Sequence, residues 1–460
     1  MQLALDVLPL ASLVLLLATG RVKPAAACLA AILLTLPAAW RMAPGVALAP
    51  FLLRAVEQGL WLAIIPVGLI AGGLVYHAAV GARDAPGGIS TDTLFIAAFL
   101  LGPFMETVTG FGVGCVFALG LIRAAGLSGP RAAAIGLLTQ ALIPWGGLGP
   151  GTALGAALAG VPPQAMASRS AVVVAATLPF LLLLFWRWTA AEGHPVPARD
   201  KPAQFLWVVA VGLSLIAWHR VAPWEMCGLL ATGGVLAVKL LWRAPPRTPA
   251  AVLATLRTAF PYLLLAASLL ASHLWRHPPT LALVAHLPPI AANSAMVVLW
   301  LVALLLLARG KAPVAALRGA LARARRPAVA LLGFVLFSRV LAAAQVPQGL
   351  AGALTGLLGH AAPVASPVLA GLAGFFAGTN VGSNAAMMPL QAALGRAAHL
   401  GPLVLPAEQN GTLFLVLSPQ LTAIAAGVLG DGTRPAGIWR VAWPIFPLSI
   451  AIGLAGIAIG

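Results

Sequence analysis

The chain is 460 residues long, 61% hydrophobic and only 8% charged, whereas soluble domains carry roughly a quarter charged residues. That shortage of polar surface excludes a soluble globular enzyme, and the alternating pattern of a membrane β-barrel is absent. The net charge is +17, but the basic residues sit between apolar runs, where they set topology under the positive-inside rule rather than mark a nucleic-acid surface.

Along the chain, residues 3–19 form the first expected helix. It reads as retained rather than cleaved, because residues 1–6 carry no basic charge and so make a poor signal-peptide start. Arg21 and Lys23 then place the following turn in the cytoplasm. Residues 60–77, 171–186, 260–272 with their flanks, and 289–307 are apolar enough to cross a bilayer, which takes about 20 residues as helix. Two apolar segments, 94–122 and 363–394, differ because glycine-rich polar stretches interrupt them. Irregular backbone at membrane depth is tolerated only inside protein or along a cavity, so both are expected to be re-entrant hairpins. The basic segments 239–257 and 309–326, the latter with Arg309, Lys311, Arg318, Arg323, Arg325 and Arg326, should be cytoplasmic. The apolar stretch between them suits two crossings. Arg187, Arg199 and Lys201 fall on the same side, with the first hairpin opening to the cytoplasm and the second to the outside.

The expected fold is therefore an all-α polytopic membrane protein with about 12 transmembrane helices and two re-entrant hairpins. The N-terminal half, 1–243, holds a hairpin near 93–122 and a broken helix near 131–160. The C-terminal half, 244–460, holds a hairpin near 363–394 and a broken helix near 403–430. An internal repeat points the same way. Arg123-Ala124-Ala125-Gly126-Leu127-Ser128-Gly129-Pro130 echoes Arg396-Ala397-Ala398-His399-Leu400-Gly401-Pro402 with one residue deleted. Each copy follows a glycine-rich interruption and precedes a helix broken by Pro and Gly. Inverted repeats with paired broken segments place a binding site at the midplane between the halves.

Only ten carboxylates occur. Asp84, Asp92, Glu192, Asp200 and Asp431 lie in polar loops, and Asp6, Glu57 and Glu225 near helix ends. Glu408, with Gln409 and Asn410, opens the last broken helix and would line a cavity mouth. Glu106 lies inside the first hairpin, before Thr107, Thr109, Gly110, Phe111 and Gly112. A buried ionised carboxylate costs at least a few kcal/mol at mid-bilayer, so Glu106 is expected to hold a proton near neutral pH; the alternative is a structural carboxylate bonded to backbone amides. The second hairpin carries Gly378-Thr379-Asn380-Val381-Gly382-Ser383-Asn384. If its tip opens a half-helix, free N–H groups favour an anion, and Gly110 and Gly112 would act likewise from the opposite side. Close helix packing through small residues is the alternative. Arg339 sits near the middle of an apolar span, where it would meet the substrate carboxylate or Glu106, or else snorkel to the interface. His360 and His399 flank the second hairpin as lining or packing groups. Cys28, Cys115 and Cys227 have no metal or redox spacing and are read as packing residues. No Walker loop, His-x-x-Glu-His or Gly-x-Ser-x-Gly occurs, so neither an enzyme, a metal site nor a cofactor is expected.

Residues 106–112 resemble the Glu-x-x-x-Gly-Phe-Gly hairpin of the lactate permease family. Ser366-Pro367 and the Gly378–Asn384 run are similar to that family's Ser-Pro stretch and Gly-[Ser/Thr]-x-x-x-Ser-Asn signature, and Ser418-Pro419-Gln420 with Ala423-Ile424-Ala425 to a third. Order and separations agree over residues 60–460. The resemblance implies symport of a proton with lactate, glycolate or a related 2-hydroxy acid across the bacterial inner membrane. It also implies kinship with elevator-type carriers, for which a homodimer is an allowed assembly. By analogy Glu106 couples the proton, while Thr379, Asn380, Ser383, Asn384 and Gln420 join the candidate substrate-binding residues Thr107, Thr109, Gly110, Gly112 and Arg339. The chain is shorter than typical members, Val113-Gly114 replaces a small residue and proline, and Asn380 stands where members often carry an acid. The rival reading is a carrier of the same architecture for a sulfonate or dicarboxylate, sodium-coupled or exporting. A membrane-embedded enzyme on lipid-linked substrates lacks the His/Asp or Cys/His groups it would need.

Overall fold

The computed structural model describes residues 2–18, 22–44, 47–80, 90–110, 112–284, 287 and 289–459, with the side chains of 18, 405–407, 409, 410 and 459 outside the described set. Arg21, Asp84, Phe111 and the side chains of Gln409 and Asn410 therefore lie beyond it. Helices α1 (Gln2–Ala18), α2 (Pro24–Met42) and α3 (Leu48–Val80) come first. An incoming arm follows, made of α4 (Thr91–Phe95), a π-helical turn Ile96–Leu101 and α5 (Gly102–Thr109). It breaks at residues 110–112 and returns as α6 (Val113–Ala124). Next, α7 (Gly129–Leu137) tightens into a 3-10 segment, Leu138–Leu148, and bends by 72° into α8 (Pro150–Ala159). Three long helices complete this half, α9 (Pro163–Ala191), α10 (Lys201–Trp218) and α11 (Trp224–Arg243), and α12 (Pro249–Leu274) opens the next.

A short antiparallel pair, β1 (Thr280–Leu281) and β2 (Ile290–Ala291), precedes α13 (Ala295–Ala308), α14 (Pro313–Ala343) and α15 (Val346–Leu358). This pair is an addition to the all-helical expectation. After a 3-10 segment, Gly359–Ala365, the second hairpin is α16 (Ser366–Ala377) and α17 (Asn380–Ala397), broken at Gly378-Thr379. The chain ends with α18 (Val404–Leu415), α19 (Pro419–Leu429), α20 (Pro435–Ala442) and α21 (Ile445–Ile459). Among the described residues, nine helices are long and apolar enough to cross a membrane, or up to eleven if each bent pair is one span. The protein is a multi-pass helical membrane protein. The sequence estimate of about 12 ran higher because several apolar runs are shorter helices, such as α13 and α19. By length alone the incoming arm Thr91–Thr109 also suffices to span.

α3 is the spine. Its glycines let neighbours approach at backbone distance, which is how membrane helices gain packing without a hydrophobic driving force. A Cβ at Gly73 would lie 2.8 Å from the Thr109 carbonyl oxygen, and one at Gly72 3.2 Å from the Trp300 ring. α13 and α14 pack along it, and α2 lies on α14. The two hairpins then interlock with the two broken helices. The first piece of each broken helix packs on its own half's hairpin: the 138–148 segment on α5, and α18 on α16 and α17. The second piece crosses over, α8 onto α17 and α19 onto α6.

The repeated octamer has a local cause. In both copies the hairpin's return helix stops in the same way: Leu127 N–H donates to Ile122 O and Leu400 N–H to Gly395 O, across a left-handed residue, Gly126 (φ 81°) or His399 (φ 58°). That is a Schellman-type helix stop, which glycine adopts without a Cβ clash. Asp92 and Asp431, read from sequence as solvated loop acids, are both engaged. Asp92 pairs with Lys239 and Arg243 at 2.8 and 3.3 Å. Asp431 accepts the Gly129 N–H at 2.6 Å, and hydrogen bonds from Thr433 and Gly129 hold its carboxyl below the usual carboxylate range. Asp6, buried in α1, pairs with Arg41 at 2.5 Å.

Candidate substrate site

The first break carries its own carboxyl group. Glu106 is buried, and its Oε1 accepts the Gly112 N–H at 3.1 Å while Oε2 accepts Gly114 N–H at 3.0 Å and Gln140 Nε2 at 3.2 Å. Gly110 and Gly112 have φ of 71° and 77°, a conformation open to glycine at little steric cost. A Cβ at Gly114 would meet the Glu106 backbone N at 2.9 Å, so glycine there lets the two arms lie side by side. The carboxylate thus caps α6, filling the orphan donors of a helix start. The anion cradle expected at Gly110 and Gly112 is occupied by the protein's own side chain. Thr107 and Thr109 spend their hydroxyl hydrogens on the carbonyls of Phe104 and Met105, at 2.8 and 2.6 Å.

The second break is different. Gly378 (φ 65°) turns the chain, and the Thr379 hydroxyl accepts the Gly382 N–H at 3.0 Å as the cap of α17. Ser383 and Asn384, both 1% exposed, lie on the first turns. Ser383 Oγ, Asn384 Oδ1 and, on the adjoining start of α19, Gln420 Oε1 are buried without a hydrogen-bond partner. Gln420 packs on Gly378, where a Cβ would lie 2.6 Å from its amide, and donates to Phe376 O at 3.2 Å. Buried polar atoms are nearly always paired, so three unpartnered atoms beside one helix break leave hydrogen-bonding capacity that a ligand could fill. Asn380 donates to Thr412 Oγ1 at 3.0 Å and accepts from Asn384 at 3.1 Å.

The glycine-rich bend of the first broken helix runs between the two breaks. Gly146 faces Glu106, Gly147 faces Thr109 and Gly110, and Gly151 faces Asn380. At the start of α19, Leu421 meets Gly112 and Gln420 meets Gly378. Sequence therefore named both breaks, and the tertiary structure brings them to the same two bends. Arg339 is not part of this cluster. Its guanidinium donates to Gln58 of α3, with its stem against Gly59. His360 and His399 are exposed.

Three contributors went unremarked or underweighted. Gln140 reaches Glu106, Thr152 reaches Glu408, and Glu408, taken for a residue at the cavity mouth, is fully buried. Its signal was present: a carboxyl group in an apolar run, the same ground on which Glu106 stood out. The Ser-Pro motifs are helix starts, with proline at the first turn where its missing N–H costs nothing. Ser418 Oγ caps α19 by accepting the Leu421 N–H at 3.2 Å. Ser366 hydrogen-bonds Gln391 of α17, tying the two arms of the second hairpin together.

No curated protein matches the chain. Residues 251–445, which run from the first turn of α12 through α20 and include the whole second hairpin, match the L-lactate permease family. Over those residues the chain is similar to the L-lactate permease family.

Proposed function

We propose that the protein is a secondary transporter that takes up a small monocarboxylate, such as lactate, glycolate or a related 2-hydroxy acid, together with a proton across the bacterial inner membrane. The observation that carries this reading is the set of unpartnered atoms at Ser383, Asn384 and Gln420 beside the N-terminus of α17. A carboxylate accepts hydrogen bonds, so the Ser383 hydroxyl and the first N–H groups of α17 suit it, and the helix dipole favours its charge. An α-hydroxyl donates one, so it suits the amide oxygens of Asn384 and Gln420. Thr379 and Asn380 shape the wall, and Thr107, Thr109, Gly110 and Gly112 supply the opposing one. The sequence expectation gave the proton to Glu106. Its carboxyl accepts from three N–H donors, which suits a carboxylate that holds the first break. The match of residues 251–445 to the L-lactate permease family supports the substrate class.

The crossed packing of α8 on α17 and of α19 on α6 supports two inverted repeats with re-entrant hairpins, moving as an elevator past the α3 spine. A homodimer is the assembly such carriers use.

The test is uptake of labelled L-lactate into proteoliposomes of the purified protein, under an inward proton gradient without sodium. Accumulation above equilibrium, abolished by a protonophore, is expected. Accumulation that needs sodium, or none with lactate while another anion is taken up, would overturn the proton or the substrate assignment respectively.

A further inference from the structure

The second buried carboxyl group, Glu408, has a partner whose hydrogens can be counted. Thr152 Oγ1 lies 2.7 Å from Pro144 O and 2.5 Å from Glu408 Oε1. Both distances are hydrogen-bonded, yet a threonine hydroxyl has one hydrogen. If Glu408 were ionised, one of these contacts would set two acceptors against each other with nothing between them. Both are satisfied when Glu408 carries the proton: Oε1–H donates to Thr152, and Thr152 donates to the Pro144 carbonyl. Oε2 then accepts from Asn384 Nδ2 at 2.5 Å.

Among the described residues, no cation pairs with Glu408. α18 packs on α8, α9, α16, α17, α21 and the 138–148 segment. Among these, α8, α16, α21 and 138–148 carry no charged residue; Arg396 of α17 and Arg169 and Arg187 of α9 are exposed. An isolated carboxylate at depth is costly, whereas the acid is fully bonded.

We propose that Glu408 is the proton-carrying group of this transporter, and that its proton decides whether the N-terminal broken helix is clamped to the second hairpin. This rests on the proton-coupled reading of the same site. The protonated acid joins Pro144 and Thr152, at the bend of the first broken helix, to Asn384 on α17. When the proton leaves to water, Thr152 turns its single hydrogen to the carboxylate and releases the Pro144 carbonyl. The same Asn384 has a buried amide oxygen without a hydrogen-bond partner, so one residue belongs to both the proton site and the proposed substrate seat. That shared residue is a physical route for coupling.

The test compares wild type with Glu408→Gln and Glu106→Gln in two readouts. In infrared difference spectra at neutral pH, the C=O stretch of a protonated carboxyl is expected in wild type and in Glu106→Gln, and absent in Glu408→Gln. The band unchanged in Glu408→Gln overturns the proposal, whatever the substrate proves to be. In proteoliposomes, Glu408→Gln is expected to lower accumulation driven by a proton gradient at least tenfold more than it lowers labelled lactate counterflow. Gradient-driven accumulation at the wild-type level overturns it. Wild type that ignores lactate but shows the Glu408 band defeats the substrate assignment and leaves the proton site standing.

Discussion

At the scale of single residues, two buried glutamates show how neighbours decide what a carboxyl group does. Glu106 meets three N–H donors, from Gly112, Gly114 and Gln140, while Glu408 meets one amide donor, from Asn384, and a hydroxyl that also contacts the Pro144 carbonyl. The first arrangement is complete with an anion, the second with an acid. Glu106→Gln replaces one acceptor oxygen by a donor and turns it on an N–H group. The expected cost is about 1–3 kcal/mol for a buried donor left unsatisfied, read as a lower melting temperature in detergent. Counterflow and proton-driven uptake should fall together in this variant. A selective loss of the proton-driven part would return the coupling role to Glu106. Both residues were visible as carboxyl groups in apolar runs. Their division of labour was not, because Gln140 and Thr152 lie 34 and 256 residues away from their partners.

At the scale of elements, helix starts and stops were the most legible features. Positive-φ glycines at 110, 112 and 378 mark the breaks, since a Cβ there would clash with the chain's own backbone. Ser-Pro pairs mark the starts of α16 and α19. The Arg-Ala-Ala echo proved to be a shared stop signal, with His399 holding at φ 58° the place that Gly126 takes in the first copy. His399→Gly is expected to raise stability by about 0.5–1 kcal/mol, because glycine removes the left-handed strain. An unchanged or lower melting temperature would show that the imidazole itself contributes at that stop. Close packing between elements was less legible. A Cβ at Gly371 would lie 2.8 Å from the Phe414 ring, and Gly374 faces Gly411 directly. These contacts set the α16–α18 crossing that carries Glu408 and Thr412 toward α17, and nothing local in an alanine- and glycine-rich segment distinguishes them.

At the scale of the whole molecule, the basic segments make the sharpest forecast. Residues 239–257 and 309–326 should share the cytoplasmic face. Arg247 and Arg318 are exposed, and Cys28, Cys115 and Cys227 are buried free thiols. Arg247→Cys and Arg318→Cys are thus expected to react with a membrane-impermeant maleimide in inside-out vesicles and not in right-side-out ones. Labelling of the two from opposite sides would break the inverted arrangement of the halves. Sequence by itself determined that the chain is a multi-pass helical membrane protein, where its helices break, and which family it resembles. Those properties follow from composition, hydropathy and short motifs, which are local along the chain. Only the tertiary structure decided that Glu106 caps its own hairpin, that Arg339 serves the α3–α14 contact, and that Glu408 meets Thr152 and Asn384. Hydrogen-bond partners across 24 to 256 residues of chain are chosen by how helices cross, and the crossing depends on side-chain contacts that hydropathy does not encode.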